Sequence, residues 1–250
     1  MMINKEIEII DGLPLIYIKS MSAIACSDLH LGYEGVMADR GVFLPKANLK
    51  SIKESIKLAV DSVNPRSIII DGDIKNEFSK VHLEEFNEFR ELCVYLKEDL
   101  ELENIILIKG NHDNFIERLK EPIGFKMYYQ EGLISKMLFF HGEDKPMAKS
   151  GYTHMIMGHL HPSIALFNSV GIKEKLKCFL SGKTKRGKYI LILPAMNYFA
   201  PGVDVNMEED ISGLAPIFRN MLDVDEMDAY CIGEGETLEF GKVGALRYQR

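Results

Sequence analysis

Five short apolar runs in this chain each end in residues able to hold a metal ion. AIACSDLHL ends in Asp28 and His30, and RSIIIDGD ends in Asp73. NIILIKGNHD ends in Asn111, His112 and Asp113; KMLFFHGE ends in His141; HMIMGHLHP ends in His159 and His161. Five of the seven histidines fall at these ends, and only His82 and His154 do not. One such motif says little, because strand-end imidazoles and turn asparagines often just hydrogen-bond. Together they make coherent chemistry. Carboxylate, imidazole and carboxamide without thiolate suit divalent ions such as Mn2+, Fe2+ or Zn2+. Seven candidate ligands, Asp28, His30, Asp73, Asn111, His141, His159 and His161, are too many for one ion. With one carboxylate bridging they make two open sites, the arrangement of two-metal hydrolysis.

These groups can act only if the fold brings them together. In an extended strand residues i and i+2 face the same side, which predicts that Asp28 with His30, and His159 with His161, project in pairs. Apolar residues at Leu49, Ile52, Ile56, Val60 and Val63 keep a 3.6 period and predict a helix over 46–63. Leu83, Phe86, Phe89, Leu92, Leu96 and Leu100 predict a second over 80–100. The opening is therefore β-α-β-α-β, with parallel strands and helices on a face. Ligand sites in such sheets lie beyond the carboxyl ends of the strands, so all five groups are expected on one rim. Gly72, Gly110, Gly142 and Gly158 flank the ligands and are expected to let the chain turn sharply there. Later, EKLKCFLSG and KYILILPA read as strands joined by a turn over 183–187, which begins a second, partly antiparallel sheet. With no repeat and no linker-like stretch, a single domain over 1–250 is the simplest organisation.

Composition narrows the function. No apolar stretch approaches the ~20 residues that span a bilayer. Lys5, Glu6 and Glu8 interrupt the apolar residues at the start, unlike a secretory signal. Cys26, Cys93, Cys178 and Cys231 are scattered, as in a reduced cytoplasmic protein. The net charge of −7 means that nucleic acid would need a local basic surface. Lys173, Lys175 and Lys177 alternate and would share one strand face at steps of about 6.6 Å, near the spacing of backbone phosphates. They are candidate substrate contacts; the alternative is an edge strand guarded by lysines.

Taken in order, D-x-H, G-D, G-N-H-D, H-G and G-H-x-H over residues 28–161 resemble the motifs of the calcineurin-like metallophosphoesterases. SDLHLGYE, RGVFLP, GDIKNEF, GHLHP and ILPAMN are further similar to the ICC-like, archaeal SbcD-related subgroup, whose bacterial members are described as nucleases of the DNA-damage response. The resemblance implies a four-layer α/β sandwich of two mixed β-sheets flanked by helices. It implies that Asp28, His30, Asp73 and His161 hold one metal and that Asp73, Asn111, His141 and His159 hold the other, with Asp73 bridging. It implies His112 as the catalytic histidine, Asp113 as its orienting partner, and Asn111 and His112 as substrate contacts. The implied activity is metal-dependent phosphodiester hydrolysis, with DNA or RNA as the expected substrate, Mn2+ as the expected ion, and metal-activated hydroxide attacking in line. A phosphatase or small-nucleotide phosphodiesterase is the alternative enzyme, and a non-catalytic protein-binding scaffold of the same fold is the alternative class. One departure stands out: the subgroup commonly has histidine three residues after the second-motif aspartate, where this chain has Asn76.

Overall fold

Runs of isoleucine set the first sheet. The computed structural model describes residues 1–79, 82–148, 150–200, 202–208 and 211–247. Within it β1 (Ile7–Ile9), β2 (Ile16–Ile18), β3 (Ala23–Cys26), β4 (Ser67–Asp71), β5 (Asn104–Ile108) and β6 (Lys126–Tyr128) form a six-stranded sheet in that order. β1 to β3 are antiparallel and β3 to β6 parallel. β4, with Ile68, Ile69 and Ile70, is buried along its whole length, as a parallel strand covered on both faces must be.

Among the described residues, three helices longer than a single turn follow the first sheet's strands: α1 (Tyr33–Asp39), α2 (Asn48–Val63) and α3 (Leu83–Val94), which continues as a π-helical stretch over Tyr95–Asp99. The helices expected over 46–63 and 80–100 are thus present, although residues 80 and 81 lie outside the described residues. Ile52 and Ile56 of α2, with Phe89, Leu92 and Leu96, pack on Ile24, Ile68 and Ile70. Leu83, expected on the buried stripe, is instead 77% exposed at the first turn of α3.

The second sheet has nine strands. Seven run in the order β13-β10-β11-β12-β9-β8-β7: β7 (Glu131–Ile134), β8 (Met137–Phe140), β9 (His154–Met157), β10 (Pro162–Phe167), β11 (Lys173–Lys183), β12 (Tyr189–Ile192) and β13 (Val203–Asp204). β8, β9 and β12 are parallel, and the expected β11–β12 hairpin is antiparallel. A terminal hairpin, β14 (Asp228–Gly233) and β15 (Glu236–Lys242), adds to β11. Its Thr237 also bonds to the first sheet's β1–β2 connection, through Gly12 N to Thr237 Oγ1 at 2.9 Å and Thr237 N to Asp11 Oδ1 at 2.8 Å.

Side-chain alternation explains the layering. Ile69 and Ile108 meet Phe139, Ile156, Phe179 and Leu191 between the sheets. Their neighbours face outward: Ile68 and Ile70 beneath the helices, Leu138 and Phe140 beneath the opposite layer. That outer layer is thin. Among the described residues it includes 3-10 turns at Pro216–Arg219, Val224–Glu226 and Val243–Leu246. No helix among them is long and apolar enough to cross a membrane.

Phe139 is fully buried between the sheets. Phe139→Ala should cost about 3–5 kcal/mol of stability. Equilibrium urea unfolding reads this as a lower midpoint, and a loss of under about 1 kcal/mol would contradict the inter-sheet core.

Candidate metal centre

The five strands whose ends carry candidate ligands are β3, β4 and β5 of the first sheet and β8 and β9 of the second, parallel within each sheet. Their carboxyl ends share one rim, as expected. The route to it differs from the expectation. Asp28, His30, Asp73, His159 and His161 lie past their strands, in left-handed backbone with φ of 56, 43, 48, 64 and 48°. The i, i+2 rule for extended strands therefore does not place them. The loops after β3 and β4 instead zip together: Asp28 N donates to Gly72 O (3.1 Å), His30 N to Asp73 O (2.9 Å) and Leu31 N to Ile74 O (2.7 Å).

Three overlapping groups result: Asp28, His30 and His161; His30, Asp73 and His112; Asp73, His141 and His159. His161 Nε2 is 3.0 Å from Asp28 Oδ1, and His30 Nε2 is 3.3 Å from His161 Nε2. His141 Nε2 is 3.2 Å from Asp73 Oδ2 and 3.7 Å from Asp28 Oδ1. His30 Nε2 and His112 Nε2 each lie 3.9 Å from Asp73 Oδ2. Asp73 thus stands at the centre.

Backbone carbonyls orient three of the imidazoles: Asp71 O lies 2.9 Å from His141 Nδ1, Leu214 O 3.1 Å from His159 Nε2, and Asn76 O 2.6 Å from His112 Nδ1. A carbonyl at one ring nitrogen fixes a proton there and aims the other nitrogen at the centre. Asn111 Oδ1 is buried with no hydrogen-bond partner. A buried acceptor left unpaired by the protein is a place for a donor or a cation.

Burial would raise the Asp28 carboxyl, but His161 and His141 together outweigh it and hold the pKa at about 2. Burial is likewise outweighed at Asp73, chiefly by His141, and its carboxyl lies well below the usual range. Burial would lower His141, but Asp73 and Asp28 hold it well above its usual value. Burial, then the neighbouring His161, brings His30 down to about 4. At neutral pH the centre therefore presents two carboxylates and a neutral His30.

Several expectations need correction. Asp113 does not orient His112. It is fully buried, and its carboxylate accepts Ile74 N (2.7 Å), Lys75 N (3.2 Å) and Gly110 N (2.9 Å). The Asn76 carbonyl takes the orienting place, so the unusual side chain at 76 is not what holds the imidazole. Gly110 is required by space, since a Cβ there would sit 2.3 Å from Asp73 Oδ1; Gly72 is required by both space and its φ of +81°. The three lysines do not form an open path. Lys177 Nζ is buried against Ala195 O (2.9 Å) and Asn197 O, and burial lowers its pKa to about 8. Lys173 and Lys175 both pair with Asp204, and Lys175 also reaches Gly202 O (2.9 Å).

Some positioning residues escaped sequence reading. Buried Asn48 and Asn197 each donate from Nδ2 to Leu29 O (3.0 and 3.2 Å) and His30 O (3.2 and 3.3 Å). Glu34 Oε1 accepts Ala47 N and Asn48 N, both at 2.9 Å, and so satisfies the start of α2 from outside it. Only ILPAMN, which contains Asn197, carried a signal, and that through resemblance. His82 and His154 stay outside the centre, on Asp39 (3.3 Å) and Asn4 (3.2 Å).

A family model described as calcineurin-like phosphoesterase matches residues 21–183, which include every candidate ligand. Among solved structures, the nuclease MPE of Pseudomonas putida is similar with a TM-score of 0.60 and 15% identity, over 92% of this chain and 93% of that one. The phosphoesterase Yfce of E. coli gives a TM-score of 0.43 at 15% identity, over 88% of this chain and 98% of that one. No curated protein matches the sequence. At 15% identity the likeness to MPE is one of fold.

The Asp113 clamp can be tested without any metal. Asp113→Ala strands three buried N–H donors and should cost about 3 kcal/mol or more. Chemical denaturation measures it, and near-wild-type stability would mean that the clamp is dispensable.

Proposed function

The chain belongs to the calcineurin-like phosphoesterases, and from that premise we propose that it is a two-metal phosphodiesterase acting on a nucleic-acid strand. The central position of Asp73 carries the reading: one carboxylate within reach of His141 on one side and of His30 and His112 on the other. Asp28, His30, Asp73 and His161 would hold one divalent cation, and Asp73, Asn111, His141 and His159 the second. The nitrogen and oxygen donors suit Mn2+, with Fe2+ or Zn2+ as alternatives. Such a pair neutralises phosphoryl oxygens and lowers the pKa of bound water.

The chain's own residues supply the rest. His112 presents Nε2 to the centre while Asn76 O holds Nδ1, so a second proton carried on Nε2 can pass to the leaving oxygen without the ring turning. Asn111, next to it, offers its unpaired carboxamide oxygen. Phe78 is 52% exposed and lies edge-on to His112 at 5.7 Å, where it could stack on a base. The similar fold named a nuclease is consistent with that substrate class. A phosphatase or small-nucleotide phosphodiesterase is the second reading, favoured by the net charge of −7. The complete donor set argues against a scaffold. Four free, buried cysteines suit a reducing cytoplasm.

A substrate panel with Mn2+ tests the reading: bis-p-nitrophenyl phosphate, p-nitrophenyl phosphate, single-stranded and duplex DNA, and RNA. Hydrolysis of the monoester alone would replace phosphodiesterase with phosphatase. Within the panel, His112→Ala should keep its metal yet lose about 100- to 10,000-fold in rate. Asp73→Asn should lose both metal and rate. Full metal and near-wild-type turnover in Asp73→Asn would overturn the shared-carboxylate arrangement.

The raised pKa of His141 gives a pH test. Below that pKa a proton occupies the imidazole, and a cation must displace it. Metal affinity should therefore rise with pH, and binding should release protons. Calorimetry in buffers of different ionisation enthalpy measures this; a binding heat independent of buffer would refute it.

A further inference from the structure

Pro146 and Met147 form a wall shared by two clefts. The inner cleft, about 460 Å³, begins at His141 and is bounded by Glu143–Met147 on one side and by Pro216 and Arg219 on the other. The outer cleft, about 340 Å³, continues past Asn220 and Met221 to the β11–β12 turn, where Lys185, Arg186 and Lys188 line it. Together they make one trough from the rim to that turn.

Some lysines are neutralised by carboxylates, as Lys173 and Lys175 are by Asp204. Among the described residues, Lys145, Lys185, Arg186 and Arg219 have no carboxylate partner. Lys188 Nζ donates to Tyr152 O at 2.8 Å and sits 5.2 Å from that ring's centre, partners that leave its charge unneutralised. The inner cleft is mixed, with Glu131, Glu143 and Asp144 beside Lys145 and Arg219. The outer cleft has no carboxylate among the described residues, and Met147 and Met221 add apolar surface to its lining. Cations and apolar surface in one cleft match a strand's phosphates and bases. A flat anionic surface such as a lipid bilayer would not enter a trough.

We propose that this trough is the path of a single nucleic-acid strand leaving the metal rim on the His141 side, with Lys185, Arg186 and Arg219 as its phosphate contacts. The proposal rests on the phosphodiesterase reading of the rim and replaces the path expected along Lys173, Lys175 and Lys177.

The test combines Lys185→Gln, Arg186→Gln and Arg219→Gln in one protein. The probe is a fluorescent single-stranded oligothymidylate of about 12 nucleotides, bound in EDTA so that no cleavage occurs. The log–log salt slope should flatten by about 0.7 per lost contact, or about 2 in all. Turnover of bis-p-nitrophenyl phosphate with Mn2+ should be unchanged in a protein carrying only Lys185→Gln and Arg186→Gln, because that ester is too short to reach the turn. A Lys173→Gln, Lys175→Gln protein should keep the wild-type slope. A wild-type slope in the triple variant overturns the proposal. So does failure of the wild-type protein to bind the probe while it still cleaves the short ester, a result that leaves the rim reading intact. Failure of wild-type protein to cleave the short ester, with the probe bound and the slope falling as expected, strikes the rim reading alone.

Discussion

Two carboxylates buried at the seam between the sheets, Asp28 and Asp73, govern the rest of the architecture. An unpaired buried charge costs several kcal/mol, so each must be surrounded by donors or cations. The backbone contributes first. His112 N donates to Asp73 Oδ1 (3.0 Å), and His159 N approaches both oxygens of Asp28 (3.2 and 3.1 Å). Imidazoles supply what remains. The loops after β5 and β9 thus each bring a side chain to the centre and a main-chain donor to another loop's carboxylate. Space follows from the same demand: a Cβ at Gly158 would sit 2.7 Å from Asp28 Oδ2, as one at Gly110 would crowd Asp73.

This crowding explains the strained backbone. Non-glycine residues in left-handed conformation cost about 1–3 kcal/mol each and persist only where their surroundings over-determine them. The surroundings do so here. Asn48 reaches the Leu29 and His30 carbonyls from the start of α2, and Asn197 reaches the same pair from beyond β12. Lys177 in turn holds the carbonyls of Ala195 and Asn197. A chain of contacts from β11 to His30 therefore fixes a ligand loop from the opposite sheet. Rigid supports of this kind let a site keep its geometry while its charge changes.

What the sequence made legible was local. An apolar run ending in a ligand is visible in one dimension, and five of them in order imply a shared rim because parallel strands end on the same side. The 3.6 periods of α2 and α3 were equally visible, apart from Leu83, whose place in the first turn precedes the buried stripe. What was hidden depends on partners far along the chain. Asp113 follows His112 directly, which invites the reading of a catalytic pair, yet its carboxylate is drawn to the N–H groups of Ile74 and Lys75. Alternation put Lys173, Lys175 and Lys177 on one face, but it could not reveal that Asp204 and two loop carbonyls were waiting there.

The lysines also show why net charge alone does not decide the substrate. A total of −7 counts every side chain equally, whether paired, screened or free. At physiological salt, exposed charges farther apart than about 8 Å hardly interact. A phosphate near the rim therefore responds to the few groups around it. Cations already held by carboxylates offer it little, whereas Lys185, Arg186 and Arg219 keep their charge available. An acidic protein can in this way still carry local groups of unpaired cations. Lowering the salt would extend the reach of the distant carboxylates and slow the approach of a polyanion, even as it strengthened the contacts made on arrival.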